Sequence, residues 1–139
     1  MKTIILSCVM AVLTVAVQAQ TMHISTSSKQ TCYWNESTQK FDKCGDDAEY
    51  VSLFTINPDE TVFTHTTNDI KSSYFVSKKT YNSEYDEFEY DVTSDVGNKY
   101  TFFVDLKNNL VKIMSSGHDN GADDYLISFT VKKSWKDSD

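Results

Sequence analysis

The feature that most constrains this chain is a period-two alternation of apolar and polar residues that dominates after residue 50. Between Asp86 and Val92, residues Phe88, Tyr90 and Val92 take one face, and Glu87, Glu89 and Asp91 take the other. Tyr100, Phe102, Val104 and Leu106 share a face in the next segment. Tyr125, Ile127, Phe129 and Val131 repeat the pattern, with Trp135 on the same parity. Successive side chains of a strand point to opposite faces, so this is the signature of half-buried strands. No segment of ten or more residues carries a helical stripe.

Turn signals between the alternating segments suggest the register. Ser94-Asp95-Val96-Gly97-Asn98 fits a three-residue hairpin loop with Gly97 in the left-handed position. Pairing Ser94 with Asn98 sets Val92 opposite Tyr100, Tyr90 opposite Phe102 and Phe88 opposite Val104, so apolar meets apolar throughout. Asn108-Asn109 reads as a two-residue primed turn, with Lys107 opposite Leu110, Asp105 opposite Lys112 and Val104 opposite Ile113. Around Tyr81 to Tyr85, matching faces sets Val76 opposite Tyr90, Tyr74 opposite Val92 and Lys79 opposite Glu87 on the exposed side. Around Pro58, the sole proline, pairing Asn57 with Glu60 sets Phe54 against Phe63.

The resulting strands are 21–26, 31–35, 49–56, 61–66, 72–80, 86–94, 98–107, 110–115 and 124–132. The expected fold is all-β: an antiparallel up-and-down meander of eight or nine strands. Such a sheet must cover its aromatic face. Closure into a small barrel is favoured, because consecutive hairpins need no long crossover; a two-sheet sandwich is the alternative. The length and meander are similar to those of small ligand-binding barrels, without their diagnostic motifs, which is analogy at the level of fold alone.

The N-terminus carries an address. Lys2 is followed by an apolar run from Ile4 to Val17, and Val17-Gln18-Ala19 offers a small-residue cleavage site, so residues 1–19 read as a secretory signal peptide. The run is shorter than the roughly 20 residues a membrane span needs. Ile5-Leu6-Ser7-Cys8 comes too early to be a lipid-attachment box, since the apolar region continues past Cys8. The expected product is one all-β domain, 20–139, secreted or periplasmic, with no membrane span after signal removal. Cys32 and Cys44 are then the only cysteines left, and in an oxidising compartment they are expected to pair.

Composition removes several functions. The 139 residues hold 13 basic side chains, all lysine, against 20 acidic ones, a net charge of −7. Nucleic acid is excluded as a partner, because phosphate contacts need clustered Lys and Arg. There is no nucleophile elbow, phosphate loop, C-x-x-C or dinucleotide fingerprint. His23, His65 and His118 lie apart and match no zinc spacing. Glu87, Glu89 and Asp91 sit on the polar face of one strand, not across a glycosidase cleft. The segment 118–124 offers Asp119, Asp123 and Asp124 as oxygen ligands for calcium, but its spacing is not that of an EF-hand loop and it reads as an acidic hairpin loop. No enzyme activity and no cofactor are expected. Asn35-Glu36-Ser37 is a glycosylation sequon, meaningful in a eukaryotic secretory pathway.

What remains is an excess of polar-tipped aromatics on faces assigned inward. Phe63, His65, Tyr74, Tyr90, Phe102 and Tyr125 come from several strands, and closure of the sheet would bring them together. Apolar walls with a few polar tips are the composition of a small-ligand pocket. The expected function is therefore a binding module for a small apolar or sugar ligand, with these six residues as candidate contacts. The alternative is an extracellular interaction or structural protein without a small ligand, its tyrosine hydroxyls reaching the barrel rim.

Overall fold

In a computed structural model, which describes residues 20–115 and 124–137, the alternating segments form an antiparallel barrel. The strands are β1 (Met22–Asn35), β2 (Lys40–Cys44), β3 (Ala48–Ile56), β4 (Val62–Thr66), β5 (Lys71–Asn82), β6 (Glu87–Ser94), β7 (Lys99–Asp105), β8 (Leu110–Ser115) and β9 (Tyr125–Lys136). Strands β3 to β9 follow one another as neighbours, and β1 joins β3 on one edge and β9 on the other. That β1–β9 pairing, from Met22 opposite Lys136 to Tyr33 opposite Tyr125, closes eight strands into a barrel and removes its free edges. The signal-peptide reading falls on residues 1–19, outside the described residues.

The ninth strand, β2, lies outside the closed ring. It pairs with the far half of β1, beyond the stretch that β3 occupies. Cys32 and Cys44 are direct cross-strand partners with Cα atoms 3.9 Å apart, and they form the expected disulfide. Trp34 packs edge-on against Phe41 in the same hairpin, with ring centroids 5.1 Å apart. Sequence reading missed β2, because Phe41 is the only large apolar residue within Lys40–Cys44 and no alternation marks it. It also split β1 in two, because Ser27 to Gln30 are polar.

The β6–β7 hairpin has the expected register, with Val92 opposite Tyr100, Tyr90 opposite Phe102 and Phe88 opposite Val104. Gly97 has φ +89°, the left-handed conformation its loop requires. The other three proposed hairpins are corrected. Val104 faces Val111 and Phe103 faces Lys112, so Asp105 does not face Lys112. Phe54 faces His65, and Ile56 faces Phe63. Val76 faces Val92, and Tyr74 faces Ser94.

The cause is shared by the three loops. Each opens on a short polar side chain that accepts from loop N–H groups. Asn57 Oδ1 accepts from the N–H of Thr61 and of Val62, at 2.8 and 2.9 Å. Asn82 Oδ1 accepts from Glu84 at 3.1 Å, and Asp105 Oδ1 from Asn108 at 3.2 Å. These side-chain bonds lengthen the loops beyond two residues and let Glu60, Asp86 and Asn109 take the left-handed conformation that ends each one. In the third loop the result is a short 3₁₀ turn, Leu106–Asn108, in place of the proposed two-residue turn.

Inside, Ile24, Phe54, Phe63, Phe102 and Val111 are fully buried. Phe102 meets Phe63 and Phe54 edge-on, at 5.2 and 6.3 Å between centroids, and Phe54 meets Phe129 at 5.2 Å. Burying each such side chain contributes about 1.5–3 kcal/mol, and these rings fill the middle of the barrel. Two buried hydroxyls, Thr26 and Ser52, satisfy each other at 2.6 Å. Polar residues such as Glu89, Asp91 and Lys112 alternate with the inward set and face outward, the reverse of a lipid-embedded barrel's pattern. Among the described residues no helix is long and apolar enough to cross a membrane.

Two bulges break the alternation where it matters for function. One lies in β5 between Val76 and Lys78. Before it, Tyr74 and Val76 point inward; after it, Lys79 lies opposite Tyr90 and Tyr81 opposite Phe88, so Lys79 and Tyr81 turn inward. The other lies in β9, where Thr26 pairs with Val131 but Ser25 pairs with Lys133. Past it, Lys136 lies opposite inward-facing Met22, whereas Trp135 lies opposite His23. Trp135 is therefore not on the inward face expected of it: it stacks on His23 on the outer wall, at 5.2 Å between centroids.

Candidate functional site

At one end of the barrel lie the loops that follow β3, β5 and β7. Between them opens a cavity of about 570 Å³, within the range of small-molecule sites. Met22, Ile56, Phe88, Tyr90, Val104 and Leu106 supply its apolar floor and walls. Glu60, Lys79, Asp86, Lys107 and Lys136 stand around its mouth, with Gln20, Asn57 and Pro58.

Glu60 ties the mouth to the floor. Its left-handed backbone, at φ 55°, aims the carboxylate across the opening. Tyr90 Oη donates to Oε1 at 3.0 Å, and Lys79 Nζ donates to Oε2 at 2.5 Å. Burial works to raise the Glu60 carboxyl, but the hydrogen bonds from Lys79 and Tyr90 outweigh it and hold the group below its ordinary value. Burial, and then the neighbouring Glu60 charge, push the Tyr90 phenol well above its ordinary range, so it stays a donor. Lys79 also lies over the Phe88 ring, 4.5 Å from its centroid. Asp86 accepts a hydrogen bond from Tyr81 Oη at 2.5 Å.

The six residues singled out from the sequence form one aromatic column along the barrel, not a single ring of cavity walls. Tyr90 lines the cavity. Phe63 packs on Tyr90 at 4.8 Å and on Phe102, and both phenylalanines lie in the filled middle. Tyr74 touches Phe102 at 4.8 Å on the far side, and Tyr100 at 5.9 Å. Tyr125 is hydrogen-bonded with Tyr100; burial, and then that bond, push its phenol up to about 12. His65 also lies toward the far end, stacked on Phe54 at 4.1 Å and 6° between planes. Its Nε2 is buried with no hydrogen-bond partner among the described residues, whereas buried polar groups are ordinarily satisfied. Burial, with the charge of Lys29 nearby, pushes His65 down to about 4, so it is neutral at pH 7.

Sequence reasoning missed Glu60, Lys79, Lys107 and Lys136. Glu60 reads as a turn residue, and Lys79 and Lys136 read as outward-facing until the bulges are known. Of the candidate calcium ligands, Asp119 and Asp123 lie outside the described residues. Asp124 lies inside them, where its carbonyl accepts from the Trp34 N–H at 2.9 Å. Among the described residues no group of three or more His, Cys, Asp or Glu side chains is placed to hold a metal ion.

Fold and cavity together define an eight-stranded antiparallel barrel with one appended strand, its middle packed solid and one end hollow. Comparison with known protein families, characterised proteins and solved structures finds no match.

Proposed function

We propose that this protein is a secreted binding module that takes a small, largely apolar ligand into the hollow end of its barrel. The observation that carries the reading is the cavity itself: about 570 Å³, with an apolar floor of Met22, Ile56, Val104 and Leu106 and a polar, charged mouth. A site of this kind draws affinity from the apolar walls and orientation from the few polar groups at the opening. Export is supported by the apolar run of residues 4–17 and by the Cys32–Cys44 disulfide, which persists in oxidising compartments. The packed middle confines the ligand to one end, so Tyr90 is the member of the aromatic column that meets it.

The second reading, an extracellular interaction protein, draws on Val51, Ile70 and Phe75, which are large apolar residues exposed on the outside of the barrel. Native mass spectrometry of the exported protein separates the two. The binding reading expects a retained small molecule, or uptake of one from a panel of fatty acids, retinoids, haem and oligosaccharides. It also expects Val104→Trp, which fills the floor, to abolish that uptake. No uptake across the panel, together with a concentration-dependent dimer or a captured protein, would favour the second reading.

A further inference from the structure

The charges at the mouth are placed there by backbone irregularities. Without the bulge in β5, Lys79 would point to solvent; without the one in β9, so would Lys136. Bulges at the rims of barrels commonly re-aim a side chain in this way. Here two of them, in strands β5 and β9, turn ammonium groups toward the same cavity. Lys107, in the 3₁₀ turn after β7, adds a third. The mouth therefore holds three lysines against two carboxylates, in a chain whose net charge is −7. Both carboxylates are engaged: Glu60 by Lys79 and Tyr90, and Asp86 by Tyr81. Lys107 and Lys136 have no carboxylate within ion-pair distance among the described residues.

We propose that the cavity recognises a single-chain amphipathic carboxylate, with its alkyl tail on Ile56, Val104 and Leu106 and its head between Lys107 and Lys136. This rests on the binding reading above and specifies its ligand class. Lys79 bonds Glu60 directly and, with the Lys136 charge acting at longer range, neutralises a carboxylate that would otherwise repel an anionic head. Size selects one chain over two. At about 30 Å³ per water-sized group, the cavity of about 570 Å³ holds fewer than about twenty heavy atoms, too few for a two-tailed lipid. The lysines are exposed, so each contributes modestly and in a salt-dependent way.

The test is calorimetric titration of the exported, delipidated protein with decanoate, decanol and decyltrimethylammonium, and with vesicles of phosphatidylglycerol. Decanoate is expected to bind about tenfold more tightly than decanol, a difference of about 1.4 kcal/mol. The cation is expected to bind weakest and the vesicles not at all. Raising the salt should shrink the preference for decanoate. The double variant Lys107→Gln/Lys136→Gln should bring decanoate to the level of decanol. If decanol matches decanoate, or the double variant leaves decanoate unchanged, the anion site is wrong while the apolar cavity stands. Binding to vesicles with no binding of decanoate would replace it with a membrane-surface site. If none of the probes binds, the carboxylate site falls and the binding reading falls with it.

Discussion

Tyr90 reaches across the hollow end of the barrel to Glu60, donating its phenolic hydrogen to Oε1 at 3.0 Å while Lys79 holds Oε2. The two residues are 30 positions apart, so this bond joins the strand β6 to the loop after β3 and shapes the cavity mouth. Glu60→Gln keeps an acceptor for Tyr90 but removes the charge opposite Lys79. The pair is partly exposed, so the expected loss at pH 7 is at most about 1 kcal/mol. The Glu60 carboxyl is held below 4.5 in the folded protein, so its contribution is present above that pH and is lost as the pH falls through the lowered value. Urea midpoints of the two proteins should therefore differ at pH 7 and converge in acid. A difference that does not change with pH would contradict the assignment.

His65 makes the fold acid-sensitive in a separate window. Its imidazole is neutral and largely buried, with a folded value near 4 against an ordinary 6.5. Below 6.5 the unfolded chain takes up a proton that the folded chain refuses, so stability falls between about pH 6.5 and pH 4. The total is at most roughly 3 kcal/mol. His65→Phe keeps the stack on Phe54 and removes the titration. Denaturation curves at pH 7.5 and 4.5 should show the loss in the natural protein and a smaller one in the variant. Equal losses in both would show that other groups carry the effect.

Gly97→Ala tests the one hairpin whose turn chemistry was plain from the sequence. A Cβ there meets nothing within 4 Å, so any penalty comes from the backbone at φ +89° alone. About 1 kcal/mol of destabilisation is expected. A change within a few tenths of a kcal/mol, measured by thermal or urea unfolding, would show that the loop relaxes.

The disulfide should act locally. Oxidised protein should weigh about two daltons less than reduced protein, as one S–S bond requires. Closing a loop across a separation of 12 residues contributes about 3 kcal/mol from chain entropy. Because β2 stands outside the closed ring, reduction is expected to speed hydrogen exchange in Lys40–Cys44 far more than at Phe102 or Val111. Uniform acceleration across the barrel would show that the staple supports the whole fold.

The all-β class, the meander and the inward faces of β6, β7 and β8 were legible because alternation reports parity directly. Register was less so. Moving Phe54 from opposite Phe63 to opposite His65 is a shift of two, which keeps every face in place, so alternation cannot detect it. The deciding information lay in Asn57, Asn82 and Asp105, whose side chains cap the loops and lengthen them. The site was the least legible part. Lys79 and Lys136 reach the cavity through single extra residues in β5 and β9, and a bulge leaves no mark in hydropathy. Tyr90 alone of the six candidate contacts lines the cavity, because the phenylalanines of the column fill the middle and separate it from His65, Tyr74 and Tyr125.

The central claim is that a ligand enters the hollow end and stops at the packed middle. Methyl-resolved NMR during titration with decanoate tests it most directly. Met22, Ile56, Val104 and Leu106 should shift in a saturable, concerted way, while Ile113 and Ile127, which line no part of the cavity, stay in place. Shifts confined to exposed methyls outside the cavity, such as Val51 and Ile70, or no saturable shift at any methyl, would contradict it.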